Sequence, residues 1–281
     1  MIDLGGQTII FDTFLTTQAA QDLKLAAKQL TGNEPSTIIN SHYHNDHIWG
    51  NQVFSPHARF ISSNQTRKLI QTEGKEELKW ERENSSQKLK DFCQQYEQAE
   101  DEKQRHELSL WVGYYQGLVE DLPHLKVRLP DLTFEKHLIL HGSSRALNLI
   151  AFEGAHTAND AILHLPDDGI IFMSDLLFVG CHPYLAECDI QKLLSALKEI
   201  AKLGAKTYVP GHGPVGSHQN LVMMTDYISM CMDKAQELVA NGKITSDEIQ
   251  DVKIPEKYDS WEHSRFYHIN LQALCKRIGA Q

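Results

Sequence analysis

Thr37-Ile38-Ile39-Asn40-Ser41-His42-Tyr43-His44-Asn45-Asp46-His47 is the stretch of this 281-residue chain whose reading decides its architecture. Thr37 to Asn40 is a short β-rich run after Pro35, and it leads straight into three imidazoles and a carboxylate. In an extended segment residues two apart point the same way, so His42 and His44 can converge on one ion. Asp46 and His47 lie just beyond, where the chain turns, and can face a second ion beside the first. Zinc accepts imidazole and carboxylate ligands, and a catalytic site leaves one position open for water. A histidine-rich surface loop does not explain four ligand-type residues packed so closely.

Outward from this stretch, strand and helix patterns alternate. Thr8 to Asp12 is β-rich, and a helix from about Thr17 carries Ala20, Leu23, Ala27 and Leu30 at helical spacing before a stop at Gly32. Arg59 to Ser62 is a further strand. Residues 64–130 then read as a helical insertion and a candidate lid. Glu73 to Glu107 holds eleven acids and seven bases with a thin apolar stripe at Leu78, Leu89, Phe92 and Tyr96, and a more apolar helix runs from Leu108 to Leu122. Strand patterns return at His137–Leu140, Leu147–Phe152, Ala161–Leu165 and Ile170–Met173, with Asp167-Asp168-Gly169 as a hairpin turn between the last two. A helix from about Ile190 to Leu203 precedes Thr207 to Val209. Residues 217–281 are expected as C-terminal helices, with Thr245 and Glu248 as a capping box. Together the elements describe one α/β (α+β) domain over 1–281.

Three more ligand-type residues follow apolar runs of this second half: His156 after Phe152, Asp175 after Ile170–Ser174, and His212 after Thr207–Val209. The ends of strands are where α/β proteins build sites. Composition narrows the partners. The formal net charge is −10 with no basic block, a surface that repels phosphate backbones, so no nucleic-acid partner is expected. No apolar run spans a bilayer and no secretory leader is visible, which gives no membrane partner and a cytoplasmic location as expectations. The five cysteines form no C-x-x-C pair and read as free thiols of a reducing compartment.

The complete His-x-His-x-Asp-His motif at 42–47, Gly-Ala-His-Thr-Ala-Asn-Asp at 154–160, Phe-Met-Ser-Asp-Leu-Leu-Phe at 172–178 and Val-Pro-Gly-His-Gly-Pro at 209–214 resemble the metallo-β-lactamase superfamily of metal-dependent hydrolases. The resemblance implies a four-layer αβ/βα sandwich with a dinuclear site. It assigns His42, His44 and His156 to a first metal, Asp46, His47 and His212 to a second, and Asp175 to both. It further implies two divalent ions, zinc first with manganese or iron as alternatives, and a metal-bridging hydroxide that attacks a small ester, thioester or lactone. Asp46 would orient the nucleophile and pass a proton to the leaving group. Ser41, Thr157 and Asp160 are candidates to hold the imidazoles in one tautomer.

Within the superfamily the pattern is closest to the glyoxalase II and lactonase-like branch. The antibiotic-hydrolysing members lack the bridging aspartate, so Asp175 argues against β-lactam hydrolysis. Phe178 stands where lactonases often carry tyrosine, with Tyr184 as a substitute from the same loop. Lys276 and Arg277 are the candidates for the basic residues that grip glutathione. Other readings are a mononuclear iron sulfur-oxidising dioxygenase, a phosphodiesterase and a non-enzymatic descendant, the last disfavoured by the intact ligand set. Family members usually carry one or two strands before the segment at Asp3 to Phe14. A sheet edge covered by a second copy would give a homodimer. Cys181 and Cys188 are read as idle thiols and His182 as a loop histidine. Trp261, Phe266 and Tyr267 are read as packing for the last helix.

Overall fold

In the computed structural model, which describes residues 1–279, the apolar runs of the first half become one five-stranded sheet. Its strands are β1 (Ile2–Asp3), β2 (Thr8–Phe11), β3 (Pro35–Ile39), β4 (Arg59–Ser63) and β5 (Leu132–Phe134), in that spatial order. β1 is a two-residue edge strand antiparallel to β2, and the remaining pairs are parallel. The register aligns Ile10 with Ile38 and Ile38 with Phe60. Consecutive residues Ile38 and Ile39 are both fully buried, the pattern of a parallel strand covered on both faces.

The crossover from β2 to β3 is α1 (Thr17–Thr31), which seats Ala20 and Ala27 in a cluster with Ile10, Ile38, Phe54 and Phe60. Thr16 caps it: the Thr16 side chain accepts from the Ala19 amide, while the Thr17 hydroxyl donates to Asp121 at 2.7 Å. Leu30, counted in the helical stripe, is exposed, because α1 buries only small residues where it meets the sheet. Gly32 ends the helix at φ 75°, as its place in the sequence predicts.

β3 is followed by the four-residue α2 (Asn45–Ile48) and a 3-10 turn at Trp49–Phe54. Between β4 and β5 come α3 (Asn64–Gln71), α4 (Glu73–Gln98) and α5 (Glu102–Asp121), the last two packed along each other. Asp101 caps α5 by accepting from the Gln104 amide at 2.7 Å, which starts this helix earlier than its apolar residues alone indicate. Ile48 and Trp49 join Ile70, Leu78, Phe92, Leu108, Tyr115 and Leu118 in one buried cluster. Tyr96, at the end of the predicted stripe, is exposed.

The antiparallel strands β6 (His137–His141) and β7 (Ala146–Glu153) follow. Two compact units divide inside β7, Met1–Ala151 and the part from Phe152 onward. β8 (Asn159–Leu165), β9 (Ile170–Phe178) and β10 (Thr207–His212) complete a second five-stranded sheet, ordered β10-β9-β8-β7-β6. The β8–β9 turn closes on Gly169 at φ 66°, as Asp-Asp-Gly predicts. α6 (Ile190–Ala201), capped by Asp189, connects β9 to the parallel β10 and buries Leu193, Ala196, Leu197 and Ile200.

α7 (His218–Ala240), α8 (Ser246–Gln250) and α9 (Arg265–Gly279) end the described chain, with the Thr245–Glu248 capping box formed at α8. Trp261 and Tyr267 are buried, and Trp261 stacks on Tyr227 of α7, so these rings pack the last helix. Among the described residues no helix is long and apolar enough to cross a membrane.

Asp175 and His212 lie inside β9 and β10 rather than past their ends. The parallel pairing continues through two register shifts: Pro210 meets Ser174, and His212 meets Phe178. The irregular stretch of β9 therefore carries Asp175, with Ser174 at the left-handed φ of 48°.

Gly50, in the 3-10 turn after the histidine motif, has no room for a side chain. A Cβ there would lie 2.0 Å from the Thr13 carbonyl oxygen and 2.6 Å from the Ala20 Cβ. Gly50→Ala is expected to destabilise the protein by about 1–3 kcal/mol through overpacking, measured as a lower urea midpoint at unchanged slope.

Candidate metal centre

In the first unit, the chain leaving β3 is gathered around one carboxylate. Asp12, directly after β2, adopts φ 61° and accepts from the Ser41 amide at 2.8 Å and the Ser41 hydroxyl at 2.7 Å. Its Oδ2 also lies 2.9 Å from His47 Nδ1. The Ser41 proton is thus directed to Asp12, so the Ser41 oxygen, 2.9 Å from His42 Nδ1, accepts from that ring. Both Nδ1 atoms are engaged as donors, which makes each Nε2 the lone pair available to an ion. His42 is fully buried and His47 nearly so.

The turn of α2 brings the remaining motif residues alongside. The His42 ring centroid is 4.7 Å from that of His44 and 4.2 Å from that of His47. Asp46 Oδ2 lies 3.5 Å from His47 Nε2. The His47 carbonyl accepts from the Thr13 amide at 2.9 Å, and Asn40 and Asn51 bond to each other through both amides, pinning the turn to the ends of β2 and β3.

In the second unit, Asp175 is the centre. Its Oδ2 lies 3.5 Å from His156 Nε2 and 3.3 Å from His212 Nε2, so two imidazoles aim their Nε2 atoms at one buried carboxylate oxygen. His156 sits in the turn after β7, which Asp160 closes by accepting from the Thr157 amide at 2.9 Å and its hydroxyl at 2.8 Å. His156 Nδ1 faces Cys188 Sγ at 3.7 Å. Burial pushes the Cys188 thiol well above its ordinary pKa and that of Cys181 up to about 12. Phe178 stacks on the His212 ring at 4.9 Å and 19°. The backbone is cut to fit as well: a Cβ on Gly211 would fall 2.0 Å from Asp175 Oδ1.

All seven sequence-assigned ligands are therefore grouped within their units: His42, His44, Asp46 and His47 in one, His156, Asp175 and His212 in the other. Each set joins imidazoles to a carboxylate, the donor chemistry of a divalent metal. Ser41 contacts its imidazole as expected, and Thr157 and Asp160 bond each other in the turn that carries His156. Arg277, a candidate glutathione contact, instead donates to the carbonyls of Cys188, at 2.5 Å, and of Ala186. His182 is a core residue, its Nδ1 2.8 Å from the Tyr227 hydroxyl. Tyr184 rests against Phe266. Sequence reasoning missed Asp12. Its signal was an acid directly after a strand whose neighbour in the sheet carries the motif, since parallel neighbours end at the same edge.

The Metallo-beta-lactamase superfamily model matches residues 1–212. A hydroxyacylglutathione hydrolase of Mesorhizobium japonicum is 34% identical over 87 residues, 30% of this chain and 33% of that protein, so the match spans about a third of the relative's length. Among solved structures, a metallo-beta-lactamase from Pontibacter korlensis superposes with TM-score 0.57 at 18% identity, over 81% of this chain and 85% of the other. The metallo-beta-lactamase FIM-1 from Pseudomonas aeruginosa, in its mono-zinc form, gives TM-score 0.57 at 13% identity over 82% and 81%. At such identities the structures speak for the fold alone. The match of the superfamily model across three quarters of the sequence makes this chain a member of the metallo-beta-lactamase superfamily and a metal-binding hydrolase.

Proposed function

We propose that the two sets of side chains act as one dinuclear centre that cleaves a small ester, thioester or lactone. His42, His44 and His156 would hold one divalent ion, Asp46, His47 and His212 a second, and Asp175 both. The observation that carries this reading is the Asp175 oxygen approached by the Nε2 atoms of His156 and His212, a carboxylate placed to be shared. Zinc suits the imidazole-rich donor set, with manganese or iron as alternatives. When bound, the ions would supply Lewis acidity, polarising the acyl oxygen and acidifying water near neutral pH.

The chain's own residues supply the rest. Asp46 keeps 28% of its side chain exposed beside the buried His47, so it can take the proton of an attacking water and return it to the leaving group. Asp12 and Ser41 keep His47 and His42 in the tautomer that presents Nε2. Phe178 holds the plane of His212. The similarity to a hydroxyacylglutathione hydrolase, whose named substrate is a thioester, supports acyl chemistry. The reading includes a small-molecule substrate, a cytoplasmic location consistent with five free cysteines, no nucleic-acid or membrane partner, and a homodimer covering the short edge strand β1.

The test is elemental analysis of protein purified without added metal, followed by ester, thioester, lactone and phosphodiester substrates. Two zinc ions per chain with acyl hydrolysis support the reading; one iron with oxygen consumption overturns it in favour of a dioxygenase. His44→Ala and Asp175→Ala should each abolish turnover and lower metal content, and unchanged activity in both would refute the assignment. Asp46→Asn is expected to lower kcat by roughly 10²–10⁴-fold in steady-state assays. Asp12→Ala, which touches no ion in this scheme, should weaken metal binding by about 10–100-fold in a chelator competition.

A further inference from the structure

Asn45 stands between His44 and Asp46 as the first residue of α2, and it is buried. Its side-chain amide donates to the Tyr114 hydroxyl at 2.9 Å. Tyr114 comes from α5, a helix remote in sequence, and its ring is firmly seated. Trp111 and Tyr115 meet it edge-on at 6.0 and 5.0 Å between centroids. Phe92 of α4 stacks in turn on both of those rings, at 5.8 and 5.4 Å. The C-terminal end of α5 is anchored to α1 through Thr17 and Asp121. The residues just after the motif, Ile48 and Trp49, are buried in the same cluster as α4 and α5.

Burial, with the Asp46 and Glu81 carboxylates nearby, keeps the Tyr114 phenol well above its ordinary pKa. It therefore meets Asn45 as a neutral hydroxyl whose oxygen accepts. A buried amide donor needs such an acceptor, and Tyr114 is the one the structure provides for Asn45 Nδ2.

We propose that Tyr114 is a positioning residue for the metal-binding turn. By holding the Asn45 amide it fixes the backbone from which His44 and Asp46 project, so α5 is a working part of the centre rather than only a cover. This rests on the reading of His44 and Asp46 as ligands. It also gives the helices between β4 and β5 a role in how the centre is built, separate from any role in choosing a substrate. The coupling is carried by one named hydrogen bond between rigid partners, so a double-mutant cycle isolates it.

The experiment measures zinc affinity of the full chain by competition with a chromophoric chelator, for the wild type, Tyr114→Phe, Asn45→Ala and the double variant. Tyr114→Phe is expected to weaken zinc binding by about 10-fold, in the range found for outer-sphere partners of metal ligands. The double variant should bind no more weakly than Asn45→Ala alone, while circular dichroism of the zinc-free proteins stays unchanged. Wild-type zinc affinity in Tyr114→Phe, or losses that multiply in the double variant, would overturn the proposal. Should Tyr114→Phe not fold, Asn45→Ala alone decides: a 10-fold loss supports it and unchanged affinity overturns it. A wild-type chain that takes up neither zinc, manganese nor iron overturns the metal reading and this inference together. Zinc binding by the wild type with no loss in either variant overturns only the inference.

Discussion

An imidazole withdrawn from water must satisfy both of its nitrogens, and this protein is organised around that requirement. His42 and His47 are buried, and a single carboxylate settles one nitrogen of each, directly for His47 and through Ser41 for His42. Asp12 can do so because β2 and β3 are parallel neighbours whose C-terminal ends fall at the same edge. Its left-handed backbone turns the carboxylate back toward the motif, a conformation that aspartate tolerates better than most residues. Of the remaining nitrogens, His47 Nε2 lies 3.5 Å from the Asp46 carboxylate.

The second unit solves a related problem differently. A carboxylate buried among apolar strands is costly unless it is paired, and Asp175 is approached by two imidazoles. Room for it comes from the sheet itself. The register shifts between β9 and β10 release the backbone around Ser174 and Asp175 from regular pairing, and Gly211 leaves the space that Asp175 occupies. Regularity is given up where the ligand-type residues lie, and the rest of β9 and β10 keeps ordinary parallel register. Such local departures concentrate at functional sites because surrounding packing must hold them in place.

Ordering the outer contacts needs elements far away in the chain. Arg277 of α9 bonds the carbonyls of Ala186 and Cys188, and Cys188 meets His156. Tyr114 of α5 holds Asn45 beside His44 and Asp46. The helices outside the sheets are thus tied to the residues that a metal would use, which gives their packing a consequence for chemistry. Side chains that touch no ion can tune affinity through such contacts as strongly as a change of stability would.

Local patterns made much of this legible. The alternation of short apolar runs with helical stripes placed most of the longer elements, because hydrophobic periodicity is a property of consecutive residues. The same holds for Gly32, Gly169 and the Thr245–Glu248 box, whose turn and cap geometry depends on neighbours a few positions apart. His42, His44, Asp46 and His47 announced themselves by spacing alone, and His156, Asp175 and His212 by their places after apolar runs. The sequence by itself therefore determined the element types, the candidate ligand residues and the superfamily. Only the tertiary structure decided that Asp12 governs two of the imidazoles, that Asp175 sits in a bulge opened by Gly211, that Phe178 stacks on His212 and that Arg277 faces inward. Each of these depends on strand register or on contact between residues distant in the chain, and neither periodicity nor local spacing encodes which remote side chain will arrive.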